Sequence, residues 1–250
     1  MSRIVNIMPM AGLGKRFLNS DFNLPKPLIK VFNKPMFIQA AKSMPKSDLN
    51  IFICNKNLLK KYKIKKILFK EYNNKFKIIT VNKTTKGQAN TCLLAERLIK
   101  DDDKIFIHSC DSLIKYSLSD LNKKLKNSDG VILTTQPNNL HLKSIKSFGW
   151  INCKKNKINK ITCKKKASSK PNKDSVIIGT FAFRNKKIYS KTIRDLFKTK
   201  KKVNNEYYMD MVFSNALEKN YKISNLNVKS YISWGTPKEL IEWKKRNAKI

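Results

Sequence analysis

Histidine is nearly missing from this chain: 250 residues contain only His108 and His141. The five cysteines, Cys54, Cys92, Cys110, Cys153 and Cys163, are scattered, and no CxxC pair occurs. Together these absences argue against a structural zinc site, and an odd, dispersed set of thiols reads as reduced rather than as a disulfide framework. Long apolar runs are also lacking: no stretch approaches a membrane span, and the N-terminus has no signal-peptide core. The expected location is the cytoplasm. Acidic residues are few, 17 against 54 Lys and Arg, for a formal net charge of +37. Such an excess attracts polyanions. Yet the bases are spread along the chain rather than gathered in a stripe, and no RRM, KH or zinc-finger motif accompanies them. The Lys-, Asn- and Ile-rich, Arg-poor composition points to coding bias as the main cause. No specific nucleic-acid partner is expected, while phosphorylated small molecules are favoured.

Hydrophobic residues make up 41% of the chain and aromatics 10%, which fits a globular core. Short apolar runs predict strands at 3–8, 50–54, 77–81 and 104–108, with helical periodicity at 36–44, 57–70 and 88–99 between them. That alternation predicts a largely parallel sheet with helices on both faces. Beyond Gly130 the rhythm changes. Strands are predicted at 131–135, 148–152, 157–163 and 175–183 with less helix between them, then helix 205–219, strand 222–227 and helix 237–247. Thr236 as N-cap, Pro237 at N1 and Glu239 at N3 approximate a capping box. No linker composition divides the chain, so one α/β domain over 1–250 is expected, with a first portion to 130 and an antiparallel-rich second portion from 131.

Two of only seven glycines, Gly12 and Gly14, sit just after the first predicted strand in "MAGLGKRF". A dinucleotide loop would place a third glycine at position 17, which is Phe17, and an acid at the end of the second strand, which reads Cys54–Asn55. A P-loop needs four residues between its glycines and Ser or Thr after its lysine, whereas Lys15 precedes Arg16. What remains is a loop whose amides wrap a phosphate chain, with glycine allowing close approach. Arg16 would add a planar clamp, and Lys26, held between Pro25 and Pro27 ten residues later, a compact charge.

The stretch "AGLGKRF…LPKPLIKVFNKPM" resembles the signature of the nucleotidyltransferases that make nucleotide-activated sugars and related phosphate esters, including sugar-1-phosphate nucleotidyltransferases and phosphocholine cytidylyltransferase-like enzymes. "KGQANTCLLAERLI", "HSCDSLI", "NNEYYMDMVFSNAL" and "WGTPKEL" follow in the family's order. The resemblance implies a Rossmann-like, GT-A-like three-layer α/β fold with a mixed central sheet. It also implies attack by an acceptor phosphate on the α-phosphorus of a nucleoside triphosphate, with pyrophosphate leaving. Such a reaction needs no general base, because the acceptor is already ionised, but it needs cations and a divalent metal.

On this resemblance Arg16, Lys26 and Asp111 are the expected catalytic residues, and Asp111 is the expected ligand of Mg²⁺. Met10, Ala11, Gly12, Gly14 and Lys15 would hold the nucleotide together with Gly87, Gln88 and Asn90. Lys164, Lys165 and Lys166 offer an acceptor-phosphate cation, with Lys165 preferred, and Glu206 and Asp210 are expected on the acceptor side. Many relatives carry a second metal-binding Asp before the terminal Gly-Thr, where this chain has Ser233. Either one carboxylate suffices there, or Glu206 or Asp210 substitutes. "NEYY" slightly favours cytidine as the base, with uridine and guanosine open, and the acceptor is a sugar 1-phosphate or a phosphorylated amine or amide, giving an activated sugar or phospho-alcohol for surface polysaccharide or lipid. Two rivals remain. A glycosyltransferase of related fold would normally show D-x-D where this chain has "SCDS", and a nucleic-acid-binding protein would turn over no triphosphate.

Overall fold

The computed structural model describes residues 2–18, 22–155 and 157–247. The first half contributes β1 (Ile4–Met10), the short ladder β2 (Lys30–Val31) and β3 (Lys34–Pro35), β4 (Leu49–Asn55), β5 (Phe76–Val81), β6 (Lys104–His108) and β7 (Ser112–Lys115). The second half contributes β8 (Gly130–Thr135), β9 (Gly149–Lys154), β10 (Lys157–Cys163), β11 (Ser175–Phe183), β12 (Ile223–Asn227) and β13 (Ser230–Ser233). Across the main sheet the order is β5-β4-β1-β6-β11-β8-β12. β1, β4, β5 and β6 run parallel, β11 is antiparallel to both β6 and β8, and β12 is parallel to β8. The antiparallel pair β9–β10 joins at residues 175–177 of β11. The mixed α/β architecture with an antiparallel-rich second half is therefore as expected.

Strand alternation places the core on both sides of the sheet. From β1, Val5 and Ile7 pack with Ile51, Ile53 and Phe213, while Met8 and Met10 pack on the other side with Phe37 and Phe52. Helices Gln88–Leu93, Lys186–Lys198 and Met209–Glu218 cover the first face through Ala89, Ile193 and Val212. Helices Met36–Ala41 and Ile64–Tyr72 cover the second through Ile38 and Leu68. Three layers result.

Several boundaries differ from the periodicity reading. The helix predicted over 57–70 breaks where Tyr62 turns extended (φ −123°, ψ 135°), giving Lys56–Lys61 and Ile64–Tyr72. The 88–99 helix tightens into a 3₁₀ segment at Leu94–Leu98. The 205–219 helix begins only at Met209, because residues before it are drawn into backbone hydrogen bonds elsewhere. Helices Leu118–Asn127 and Lys186–Lys198 and the β7–β13 pair were not anticipated. In Lys186–Lys198 the buried stripe Ile188, Thr192, Ile193, Leu196 is helical in spacing, but its β-branched members mimic strand composition.

Candidate active site

β1 and β6 lie side by side, but their crossovers lead to opposite halves of the sheet. Crevices form at the carboxyl ends of strands at such a switch point. From β1 the chain passes through buried Met10 and Ala11 to Gly12, where added side-chain bulk would meet nothing within 4 Å. Gly14 adopts φ +61°, a conformation glycine takes without strain, and its carbonyl accepts the Phe17 N–H at 2.7 Å. The loop lines a cleft of about 320 Å³ with Met10, Pro25, Lys26, Asn55 and Tyr62.

Pro25 leads into a single 3₁₀ turn, Lys26–Leu28, which points Lys26 inward. Its ammonium donates to Asp111 Oδ2 at 2.5 Å and to the Gly235 carbonyl at 2.9 Å, and lies 5.2 Å from the Phe17 ring centroid. Asp111 follows β6 and is fixed from two sides. The Trp234 N–H donates to its carbonyl at 2.8 Å, and the Ser109 N–H donates to the Gly179 carbonyl at 3.1 Å. Gly179, at φ +71°, sits where the β11–β8 register shifts between Ile177 and Thr180, so this bulge anchors the Asp111 turn.

Burial works to raise the Asp111 carboxyl's pKa, but the charge and hydrogen bond of Lys26 outweigh it and hold the group below its ordinary value. Burial likewise works to lower that of Lys26, and Asp111 reverses the sign. The site is thus an ion pair at neutral pH. His108 beside it is structural. Burial pushes it down to about 4, Thr180 Oγ1 lies 2.7 Å from Nδ1, and Nε2 lies 3.0 Å from the Ser112 carbonyl. Among the described residues no group of three or more His, Cys, Asp and Glu converges.

The other expected residues divide into two groups. Lys15 and Arg16 stand exposed; Arg16 is not bonded beside Lys26, although its charge acts on the Tyr208 phenol. Gly87 adopts φ +113°, and a Cβ there would fall 2.5 Å from the Tyr207 nitrogen and 3.0 Å from Glu206 Cβ. Around it the Tyr207 N–H donates to the Lys86 carbonyl at 2.8 Å and the Ala89 N–H to the Tyr207 carbonyl at 2.9 Å. The "KGQANT" and "NNEYYMD" segments are therefore stitched together. Gln88 and Asn90 are half-buried at that seam, with Asn90 Oδ1 accepting the Lys86 N–H at 3.4 Å.

Beyond the seam lies the cluster expected on the acceptor side, Lys164, Tyr208 and Asp210. Asp210 is set against Gly149, with Oδ2 only 2.2 Å from where a Gly149 Cβ would stand. Burial pushes its carboxyl up to about 7, against the pull of Lys164 and a hydrogen bond with Cys163. The preferred lysine, Lys165, and its neighbour Lys164 are placed differently. Lys165 is exposed, and only its backbone carbonyl is engaged, by Thr162. Lys164 is the lysine that turns inward, at φ +55°, donating to the Tyr208 hydroxyl at 2.8 Å with its ammonium 4.4 Å from that ring. Glu206 stands near the Tyr208 phenol, whose pKa is raised by burial and by Glu206.

Glu206 and Asp210 gather around Tyr208 and Cys163, and the carboxylate brought beside Asp111 is Glu239. Thr236 caps the last helix, accepting the Glu239 N–H at 3.2 Å, but the Glu239 carboxylate takes the Thr236 hydroxyl at 2.9 Å instead of closing the reciprocal box onto the backbone. The only sequence signal for Glu239 was that cap.

Comparison with known proteins gives the family and the fold. The chain is 28% identical over 133 residues to a mannose-1-phosphate guanyltransferase of Yarrowia lipolytica, a match spanning 51% of this chain and 36% of that protein. The chain thus matches little more than a third of the length of that curated relative. A nucleoside-diphosphate-sugar pyrophosphorylase from Vibrio cholerae RC9 superposes with a TM-score of 0.79 at 18% identity, covering 96% of this chain and 99% of that one. The inositol-1-phosphate CTP transferase from T. maritima superposes with a TM-score of 0.70 at 14% identity, covering 96% and 92%. At such identities the structures establish the fold. The family model for nucleotidyl transferase matches residues 6–249, a span that holds most of β1, the Lys26–Asp111 pair and the closing helix, and the chain belongs to the nucleotidyl transferase family.

Proposed function

We propose that this chain, acting as one unit over 1–250, transfers the nucleoside monophosphate of a nucleoside triphosphate to the phosphate of a small acceptor, releasing pyrophosphate. A sugar 1-phosphate is the leading acceptor. The observation that carries this reading is the Lys26–Asp111 pair at the switch point, opening onto the cleft behind Gly12 and Gly14.

The loop amides and Arg16 would cradle the triphosphate, and Lys26 would neutralise the α-phosphate as the acceptor oxygen approaches. Met10, Ala11, Gly12, Gln88 and Asn90 border the space for the base, and Gly87 sets the spacing between nucleotide and acceptor segments. Lys164 would hold the acceptor phosphate. Its ammonium already occupies the Tyr208 face, where a quaternary amine would need to stack, so the cluster suits a polyhydroxyl acceptor better than a choline-like one.

In support, Asp111 offers the hard carboxylate oxygen that a divalent cation takes together with substrate phosphates. Asp111 would hold Mg²⁺, which would supply further neutralisation of the phosphates. The product would be an activated precursor for surface polysaccharide, made in the cytoplasm, and cytidine is the first base to test. Because the relatives named above include a guanyltransferase and a CTP transferase, the test is a matrix of all common triphosphates against sugar 1-phosphates and other phosphorylated acceptors, read by pyrophosphate release. One productive pair supports the reading. Silence across the matrix, with no stabilisation by any triphosphate, overturns it.

A further inference from the structure

A second cavity, of about 490 Å³, opens between β10, the end of helix Lys186–Lys198 and helix Met209–Glu218. Its wall includes none of Lys26, Asp111, Lys164 and Tyr208. Buried Ile161 and Leu196, with half-buried Met211 and Leu217, supply its apolar lining. With them stand four exposed lysines, Lys160, Lys165, Lys201 and Lys202, against one acid, Glu218. None of the four is ion-paired among the described residues. The hydroxyls of Thr162, Thr199 and Ser214 in the same wall donate to the carbonyls of Lys165, Leu196 and Ile161 at 2.5, 2.7 and 3.0 Å. Asn215 is different. It is only 9% exposed, yet its side-chain amide nitrogen has no hydrogen-bond partner among the described residues. A buried donor left unpaired is costly, so this one calls for an acceptor.

We propose that this cavity binds a phosphorylated small molecule with an apolar body, at a site separate from the catalytic cleft. Lysine ammoniums and the Asn215 amide nitrogen all donate, so the wall selects an acceptor-rich anion over a cation or an amine. Lysine serves phosphate as a point charge, and four of them suit a group carrying more than one negative charge. The apolar lining gives the rest of the molecule a surface to bury, in a volume within the range of small-molecule sites. Part of the frame is set in advance. Thr162 holds the Lys165 carbonyl, and the Thr199 hydroxyl accepts the Lys201 N–H at 3.2 Å, so less order has to be imposed when an anion arrives. The site does not depend on the reaction proposed above, whose residues lie outside this wall.

The test titrates 1-naphthyl phosphate into the full chain by calorimetry, with 1-naphthol and inorganic phosphate as partial probes. The unaltered chain is compared with Lys160→Glu plus Lys201→Glu, with Asn215→Leu and with Lys26→Met. Lys65→Glu plus Lys66→Glu, two exposed positions on helix Ile64–Tyr72, controls for the same change in charge. Thermal melts check each fold, and should Asn215→Leu melt early, the Lys160→Glu plus Lys201→Glu chain decides. One molecule is expected to bind per chain, about tenfold or more tighter than either partial probe. Lys160→Glu plus Lys201→Glu should weaken it about tenfold and Asn215→Leu about threefold or more, while Lys26→Met and the charge control leave it within about a factor of two. Absence of saturable binding overturns the proposal. An equal loss in the charge control overturns it too, because the attraction is then diffuse. Loss in Lys26→Met, with binding kept in Lys160→Glu plus Lys201→Glu, places the probe in the catalytic cleft and likewise refutes the second site.

Discussion

Lys26 and Asp111, 85 positions apart in sequence, meet at 2.5 Å between their charged atoms. One comes from a proline-flanked turn after β1 and lines the cleft, the other from the loop after β6. The pair is recessed, so each charge depends on the other for solvation it has given up.

Removing Lys26 should therefore do two things. Lys26→Met is expected to lower turnover tenfold to more than a hundredfold, about 1.5–3 kcal/mol for a charge-assisted bond. It should also let burial push the Asp111 carboxyl upward, since Lys26 is what holds it down. The acidic limb of the rate profile then moves to higher pH. A profile that keeps its position would show that the two groups do not interact in solution.

Lys164 and Lys165 make opposite predictions from adjacent positions. Lys164→Ala should raise KM for the acceptor at least tenfold and leave KM for the triphosphate within a factor of two or three. Lys165→Ala should leave both unchanged, because that side chain is exposed. Steady-state kinetics with each substrate varied separately decides between them.

Gly87→Ala should be strongly destabilising. Its φ of +113° is unfavourable for any L side chain, and the new methyl would collide with the Tyr207 backbone 2.5 Å away. A loss of about 2 kcal/mol or more is expected in urea unfolding. A near-neutral result would mean that the seam between the two binding segments is looser than described.

Asp210 carries the pH prediction. Its folded pKa of about 7 lies above the ordinary carboxylate value, so the folded chain holds that proton more tightly than the unfolded chain. The contribution to stability is full below about pH 4 and is lost as pH rises through about 7. Unfolding midpoints of the unaltered chain should fall relative to those of Asp210→Asn between pH 5 and pH 8. Parallel curves would place Asp210 in solvent.

Much of this was legible in the residues. Strands buried on both faces announce themselves as apolar runs, so β1, β4, β5 and β6 were readable to within a few positions. The first loop was readable because Gly12, Gly14 and the Pro25–Lys26–Pro27 cassette constrain the backbone locally. Long-range facts were not. Nothing local says that Lys164 rather than Lys165 turns inward, since that depends on a positive φ imposed at the end of β10. Nor does the spacing of Thr236 and Glu239 show that the turn they cap is brought beside Asp111, where the Trp234 N–H meets the Asp111 carbonyl.

The most direct test follows the α-phosphate. A nucleoside triphosphate labelled there is incubated with Mg²⁺, the acceptor found by the pyrophosphate screen, and either the unaltered chain or Asp111→Asn. The account predicts that the label appears joined to the acceptor phosphate, one for each pyrophosphate released, and that Asp111→Asn nearly abolishes this. Label remaining in free nucleotide, or equal transfer by Asp111→Asn, would contradict it.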